Sequence, residues 1–367
     1  MLRAVAIVFA LLCACQPPLE KRARFFGRVD FSDVKGPRMA WSATGFSAKV
    51  SGTSVRFEIV DLPKHPDPEG RTWPNRFQVM LDDRAPEQLI VPADGRLRWS
   101  ASALAAGQHR LTVFKQSEAF VGVAQLVALE ADKFLPPDPA PMRRIELVGD
   151  SLTTGYGNEG TSKDCHFSEA TQNQWLAWPS LTARALAAEH HVVAWSGKGV
   201  TRNYQDPKQP PPASLDPIDA LTVPQIYGRT IPEDAASRWD FARWTPDVVI
   251  VGLGSNDISA SDPGERAFVE TYRGFIAKIR EHNPMAQILC MIPPVEDAWP
   301  PNVHAWTRMR RYITAAARRL GDNNVHVIAL PPEDPADGLG CDYHPTLARH
   351  AKVARAITET LQHVMSW

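Results

Sequence analysis

Several chemistry-bearing patterns are missing from this chain, and each absence removes a class of function. No His-x-x-x-His, Cys-x-x-Cys or Gly-x-x-x-x-Gly-Lys-[Ser/Thr] occurs in its 367 residues. The spaced ligands of a zinc site and the cradle of a phosphate-binding loop are therefore both lacking, and no metal or cofactor is expected. An excess of one charge is lacking too. Forty Lys and Arg stand against 41 Asp and Glu, net −1 and interspersed, which excludes a nucleic-acid partner and a polybasic membrane patch. The apolar run from Ala4 to Cys15 is too short to cross a bilayer. Cysteines number only five.

What remains has the composition of a soluble globular protein, 44% hydrophobic and 22% charged, long enough for two domains. Nothing in it calls for a second subunit, and a monomer is expected. Met1-Leu2-Arg3 and the apolar run after it have the charged and hydrophobic regions of an export signal. The run closes Leu12-Cys13-Ala14-Cys15, which resembles a bacterial lipobox and implies cleavage before Cys15 with lipid on its thiol. A plain secretory signal is the alternative. In either case the protein is expected outside the cytoplasm, in the cell envelope, at the cell surface or secreted, touching membrane only through a lipid at Cys15. Cys165, Cys290 and Cys341 then remain in an oxidising compartment. Cys290 lies in the apolar run Ile288-Leu289-Cys290-Met291-Ile292 and reads as core, while a Cys165–Cys341 bridge would tie two loops together. Two free thiols are the alternative.

From Phe26 to Asp132 the pattern alternates, as in Val55-Arg56-Phe57-Glu58-Ile59 and Phe77-Gln78-Val79-Met80-Leu81, with further strands at His109 to Phe114 and Val121 to Leu129. Short strands at regular spacing predict a β-sandwich. Leu135-Pro136-Pro137-Asp138-Pro139-Ala140-Pro141 is a stiff extended connector. Beyond it apolar strands and helices alternate: strands near 145–148, 192–195, 248–253, 288–292 and 325–330, and helices near 174–189, 303–320 and 345–365. A further helix starts at Asp262-Pro263-Gly264-Glu265, with Asp262 read as its N-cap, and carries the stripe Phe268, Tyr272, Phe275, Ile276 and Ile279. Five such strands predict a parallel sheet in a three-layer α/β/α domain. The chain divides into a signal and tether at 1–24, an all-β domain at 25–134, the connector at 135–142 and an α/β domain at 143–367. Asn203 to Arg238, rich in proline, is too long for an ordinary loop.

Ligand chemistry in such sheets gathers at the carboxyl ends of the strands. The run Ile145-Glu146-Leu147-Val148-Gly149-Asp150-Ser151 delivers a serine there, and Ser196-Gly197-Lys198-Gly199, Gly254-Ser255-Asn256-Asp257 and Asp342-Tyr343-His344-Pro345 occupy later strand ends. As an ordered set these stretches resemble the SGNH (GDSL-type) hydrolase superfamily. The resemblance implies Ser151 as nucleophile, His344 as base, and an oxyanion hole of the Ser151 and Gly197 N–H groups with the Asn256 amide. Gly199 is the alternative glycine. His166 is the one rival base, the other histidines reading as packed or solvated. Asp342 is placed to orient His344, in an Asp-x-His spacing where the superfamily more often has Asp-x-x-His; Asp337 is the alternative, and Asp150 reads as a loop brace.

The nearest resemblance is to carbohydrate esterase family 2. It extends over Phe114-Lys115-Gln116-Ser117-Glu118-Ala119, Gly157-Asn158-Glu159-Gly160, Cys165-His166-Phe167-Ser168 and Gly340-Cys341-Asp342-Tyr343-His344-Pro345. It implies a jelly-roll β domain before an SGNH hydrolase domain, a backbone carbonyl in place of the orienting carboxylate in some members, and removal of acetyl groups from an acetylated saccharide without a cofactor. Tyr156, Tyr204 and Tyr343 are loop-borne candidates for sugar contact, and the tryptophans read mainly as core. A broad lipase or thioesterase and a glycan-binding surface lipoprotein are the competing functions.

Overall fold

The computed structural model describes residues 18–63, 70–204, 217–298, 300–332 and 334–367. The signal-like segment with Cys13 and Cys15, and part of the Asn203 to Arg238 stretch, lie outside the described residues. Within that stretch Pro217–Ala220 and Val223–Ile226 are short helices.

The amino-terminal half is built around one long strand, Gly45–Asp61, whose residues alternate between buried and exposed along much of its length. It pairs antiparallel with Arg24–Phe26, Arg96–Ala101, Gly107–Lys115 and Ala124–Leu135. Phe46, Ala48 and Val50, then Val55, Phe57 and Ile59, all point into one apolar core: each run keeps period two, and the register shift between Ser51 and Val55 changes the phase between them. The last strand starts at Ala124, because Ala119–Val121 forms a 3-10 turn where the alternating pattern suggested strand.

The carboxyl-terminal half holds five parallel strands in the order Ala188–Ala194, Arg143–Gly149, Val248–Gly252, Gln287–Ile292, Val325–Ala329. Alternate residues serve opposite layers. Ile145, Leu147, Val248 and Ile250 pack with Trp178, Ile357 and Leu361 of the helices Trp178–Ala185 and Leu347–Met365. Val148, Val249, Val251 and Ile288 pack with Phe268, Tyr272, Met309 and Ile313 of the helices Glu265–His282 and Ala305–Leu320. A strand buried on both faces has no polar alternation, which is why Val248–Gly252 and the run from Ile288 to Ile292 read as continuous apolar segments.

Two local expectations are corrected. The helix expected over 174–189 ends at Ala185, and Ala188–Ala194 is strand, so His190 and His191 sit inside the sheet rather than at a helix end. Pairing with the strand Arg143–Gly149 overrides the helical pattern there. Asp262 does not cap its helix. Gly264 occupies the cap position, while the Asp262 carboxylate accepts from the Tyr312 hydroxyl and Arg308.

The halves meet across a polar seam. Arg28 of the β half is fully buried, donates to Glu146 at 2.7 Å and to the Tyr227 carbonyl, and lies 4.9 Å from the Tyr227 ring centroid. Tyr227 in turn donates its hydroxyl to Glu146 at 2.6 Å. A buried charge pair is costly to break because either survivor is stranded without water. Arg28→Ala is therefore expected to lower unfolding free energy by about 3–5 kcal/mol in urea titration, and the double change Arg28→Met with Glu146→Leu to recover most of that loss.

Candidate active site

Gly149 ends the strand Arg143–Gly149, and the extended backbone of Asp150 turns the chain into the short helix Ser151–Thr154. The Asp150 carboxylate caps it, accepting the Leu152 N–H at 3.0 Å. It also accepts from the Ser255 hydroxyl and, at 3.3 Å, from the Asn256 amide, so it braces two strand ends at once. Burial pushes its carboxyl up to about 7, against the hydrogen bonds from Ser255 and Leu152. Ser151 opens the helix, where a backbone N–H has no intrahelical acceptor. Among the described residues that N–H has no other partner, and Ser151 is 7% exposed.

The neighbouring strand Ala188–Ala194 leads into Trp195, Ser196 and Gly197. Gly197 has φ +80, a conformation that disfavours residues with a Cβ, and the space beside its Cα is open. Its N–H is unengaged among the described residues. The Gly199 N–H is taken by Asn203 at 3.2 Å, and a Cβ there would strike Asp257. Gly197 therefore offers the free donor and Gly199 does not. Asn256, in the short helix Ser255–Ile258 after the strand Val248–Gly252, has its amide on the Lys198 carbonyl at 3.0 Å besides the longer contact to Asp150. Asp257, which the sequence did not single out, accepts the Val200 N–H at 2.9 Å and the Thr201 N–H at 2.6 Å, holding the loop from behind.

His344 lies in a loop fastened to the serine loop. Cys165 and Cys341 form a disulfide, the Cys341 N–H donates to Gly157 at 3.1 Å, and the Asp342 N–H donates to Cys165 at 2.9 Å. A Cβ on Gly160 would fall 2.4 Å from the Cys341 sulfur, so only glycine lets the two loops approach this closely. Asp342 and Tyr343 both have positive φ, +51 and +63. This turns the Asp342 carbonyl onto His344 Nδ1 at 2.9 Å, with the Cys341 carbonyl at 3.2 Å. A carbonyl only accepts, so the proton sits on Nδ1 and Nε2 keeps its lone pair. Burial lowers the His344 pKa below the usual imidazole value, partly offset by the two carbonyls. No hydrogen bond joins the Ser151 hydroxyl to the ring; nucleophile–base contacts of this kind commonly tighten only in the Michaelis complex.

The expectation that the Asp342 carboxylate orients His344 is corrected. That carboxylate accepts instead from the Tyr156 hydroxyl at 2.8 Å, the Phe167 N–H at 3.0 Å and His166 Nδ1 at 2.8 Å, because the positive φ that presents the carbonyl turns the side chain the other way. His166 thus sits on Asp342 with a side chain 85% exposed. Asp337 is committed to Lys352, to Arg349 at 3.5 Å and, through its carbonyl, to Thr346. Of the other histidines, His190 donates to or accepts from Ser180, His350 accepts the Trp178 N–H, and burial presses both down to about 3. Cys290 is buried and free.

Beside His344 stands an aromatic wall drawn from both halves. The Tyr156 ring is 4.2 Å from the imidazole and 4.8 Å from Phe167, which touches Phe120 at 4.9 Å and Trp73 at 5.2 Å. Tyr204 and Tyr343 are 60% and 62% exposed, and Trp178, Trp195, Trp239 and Trp244 are core.

Residues 147–352 match the GDSL-like Lipase/Acylhydrolase family and residues 25–140 the Carbohydrate esterase 2 N-terminal family. The chain is 33% identical over 346 residues to Cellulase/esterase CelE of Acetivibrio thermocellus, covering 93% of this chain but only 39% of that protein. It is 26% identical over 347 residues to an acetylxylan esterase / glucomannan deacetylase of Cellvibrio japonicus, covering 93% of this chain and 88% of that one. A solved family two carbohydrate esterase from Clostridium thermocellum in complex with cellohexaose superposes with a TM-score of 0.81 at 31% identity, over 94% of this chain and 99% of that chain. A carbohydrate esterase family 2 enzyme from Corynascus thermopiles gives 0.80 at 29%, over 94% and 100%. With both halves matched and the superposition running nearly end to end, the chain belongs to the GDSL-like lipase/acylhydrolase family and, within it, to the carbohydrate esterases of family 2.

Proposed function

We propose that this protein is a serine esterase that removes acetyl groups from an acetylated saccharide through an acyl-enzyme. The observation that carries this is His344, whose Nδ1 proton is held by the Asp342 carbonyl so that Nε2 is left as the base. Nε2 takes the proton of the Ser151 hydroxyl as its oxygen attacks the acetyl carbonyl. The free N–H groups of Ser151 and Gly197 receive the oxyanion. The Asn256 amide joins them by turning its long contact with Asp150 toward the substrate, and each donor of this kind is worth about 3–4 kcal/mol. His344 then protonates the departing sugar oxygen, and water repeats the cycle on the acetyl-serine. The wall of Tyr156, Phe167, Phe120 and Trp73 offers apolar faces on which a sugar ring packs. The relative named above as an acetylxylan esterase and the neighbour bound to cellohexaose support a saccharide substrate.

In this reading residues 25–134 and 143–367 form the two working domains, and the amino-terminal segment exports the protein, with Cys15 as lipid anchor. The Cys165–Cys341 bridge fits an oxidising compartment.

Ser151→Ala is expected to abolish hydrolysis of nitrophenyl acetate and of acetylated sugars while leaving the circular dichroism spectrum unchanged; turnover by the folded variant would overturn the assignment. In a chain-length series of nitrophenyl esters, kcat/KM should fall steeply beyond acetate, whereas a flat profile would favour a lipase. Asp342→Asn keeps the backbone carbonyl and a residue tolerant of positive φ, so kcat should drop less than about tenfold, against the roughly 10⁴-fold loss when an orienting carboxylate is replaced. Because burial lowers the His344 pKa, the neutral base persists to more acid pH than a free imidazole allows. The acid limb of kcat/KM is therefore expected below pH 6.5, read from a pH–rate profile.

A further inference from the structure

One buried acid belongs to the β half yet touches the hydrolytic loops. Glu118 lies just past the strand Gly107–Lys115 and is fully buried. Its Oε2 accepts the Ser196 N–H at 2.7 Å, and its Oε1 accepts the Ser196 hydroxyl at 2.6 Å, the Thr154 hydroxyl at 3.3 Å and the Gln172 amide at 3.0 Å. The backbone that delivers it is locked in turn. Lys115 Nζ donates to the carbonyls of Ala40, Ser117 and Glu118 at 2.9, 3.0 and 3.1 Å, and the Glu118 N–H donates to Gln172 at 3.3 Å.

The two groups Glu118 grips bear the two backbone donors of the site. Ser196 immediately precedes Gly197, so pinning the Ser196 N–H and hydroxyl fixes the turn whose next N–H is the free one. Thr154 sits in the same four-residue helix as Ser151, and its hydroxyl also lies 3.3 Å from both the Ser151 carbonyl and the Ser196 hydroxyl. These donors come from separate strand ends, bridged directly by the Trp195 N–H to the Gly149 carbonyl at 3.3 Å and by the weak Thr154–Ser196 hydroxyl contact. An oxyanion hole works only if its donors are fixed before the charge appears, and a misplacement of about 1 Å costs on the order of 10²-fold in rate.

We propose that Glu118 is a positioning residue for the hydrolytic reaction: its carboxylate clasps the Ser196 and Thr154 turns together and so sets the spacing between the Ser151 and Gly197 donors. The β half thereby completes the active site instead of merely accompanying it. This rests on the oxyanion roles given above to Ser151 and Gly197. A carboxylate suits the position because four donors converge on it, whereas a glutamine would aim an amide N–H at donors and release at least one of them. Burial pushes the carboxyl up to about 7, and the bonds from Ser196 and Thr154 pull the other way.

The test compares the full-length wild type with Glu118→Gln and Ser151→Ala, using nitrophenyl acetate and a boronic acid that adds to the serine oxygen as a tetrahedral anion. Glu118→Gln is expected to lower kcat by about 10²-fold with KM within about threefold, and to weaken boronate inhibition by the same factor as kcat/KM. Wild-type kcat and boronate affinity in Glu118→Gln, with Ser151→Ala inactive, would overturn this role alone. Activity in Ser151→Ala would overturn the esterase reading beneath it. A loss in which boronate affinity stays unchanged, or which follows only the fraction of folded protein, would mark Glu118 as structural and also overturn the proposal. If Glu118→Gln fails to fold, Ser196→Ala removes only the hydroxyl arm of the clasp. It should lower kcat and boronate affinity together by about tenfold, and a wild-type result there would be equally decisive against it.

Discussion

The chemistry of this site depends on one hydrogen bond, from His344 Nδ1 to the carbonyl of Asp342 at 2.9 Å. A carbonyl is a weaker partner for an imidazolium than a carboxylate, but it fixes the tautomer equally well, since it can only accept. To present it, Asp342 and Tyr343 adopt left-handed backbone, which costs roughly 1–2 kcal/mol per non-glycine residue. The surroundings offset that cost. The disulfide, the Cys341 and Asp342 N–H bonds to the serine loop, and the three donors on the Asp342 carboxylate all require the same turn. The acid of the Asp-x-His stretch thus has a structural task, holding shut the loop whose carbonyl does the orienting.

The second constraint is the polar seam between the halves. Arg28 with Glu146, Arg76 with Glu159 at 2.7 Å, Gln116 with Asn173 at 2.9 Å and Glu118 with Ser196 all join residues distant in sequence. Apolar surfaces slide against one another at little cost, whereas buried donors and acceptors tolerate a single register. A seam of this kind therefore specifies one docking geometry more than it adds stability. The active site uses that rigidity. Phe120 and Trp73 reach the aromatic wall beside His344, and Glu118 reaches the loop before Gly197, all from the β half.

Much of this was legible in the chain alone. Val248 to Leu253 and Ile288 to Ile292 declared themselves as buried parallel strands because no polar side chain breaks them, and Ile145 to Val148 did so despite Glu146. Ser151, Gly197 and Asn256 stand just beyond strand ends where the sheet must open, with His344 between the last strand and the last helix. Periodicity and position relative to a strand are local properties, and local sequence carries them. Which group partners His344, the Asp342 carboxylate, Asp337 or a backbone carbonyl, stayed open in the sequence, because the direction of a carbonyl is set by backbone angles that contacts with Gly157, Cys165 and Phe167 enforce across more than 170 residues. Glu118 was visible only as part of a resembling stretch, for nothing in its neighbours says that Ser196 will meet it. His190 and His191 fell inside a strand rather than at a helix end, since seven paired positions along the strand Arg143–Gly149 outweigh a weak local preference. Residue types and their spacing thus determined which chemistry this protein carries; only the folded chain, by bringing remote donors and acceptors within 3 Å, decided which groups orient it.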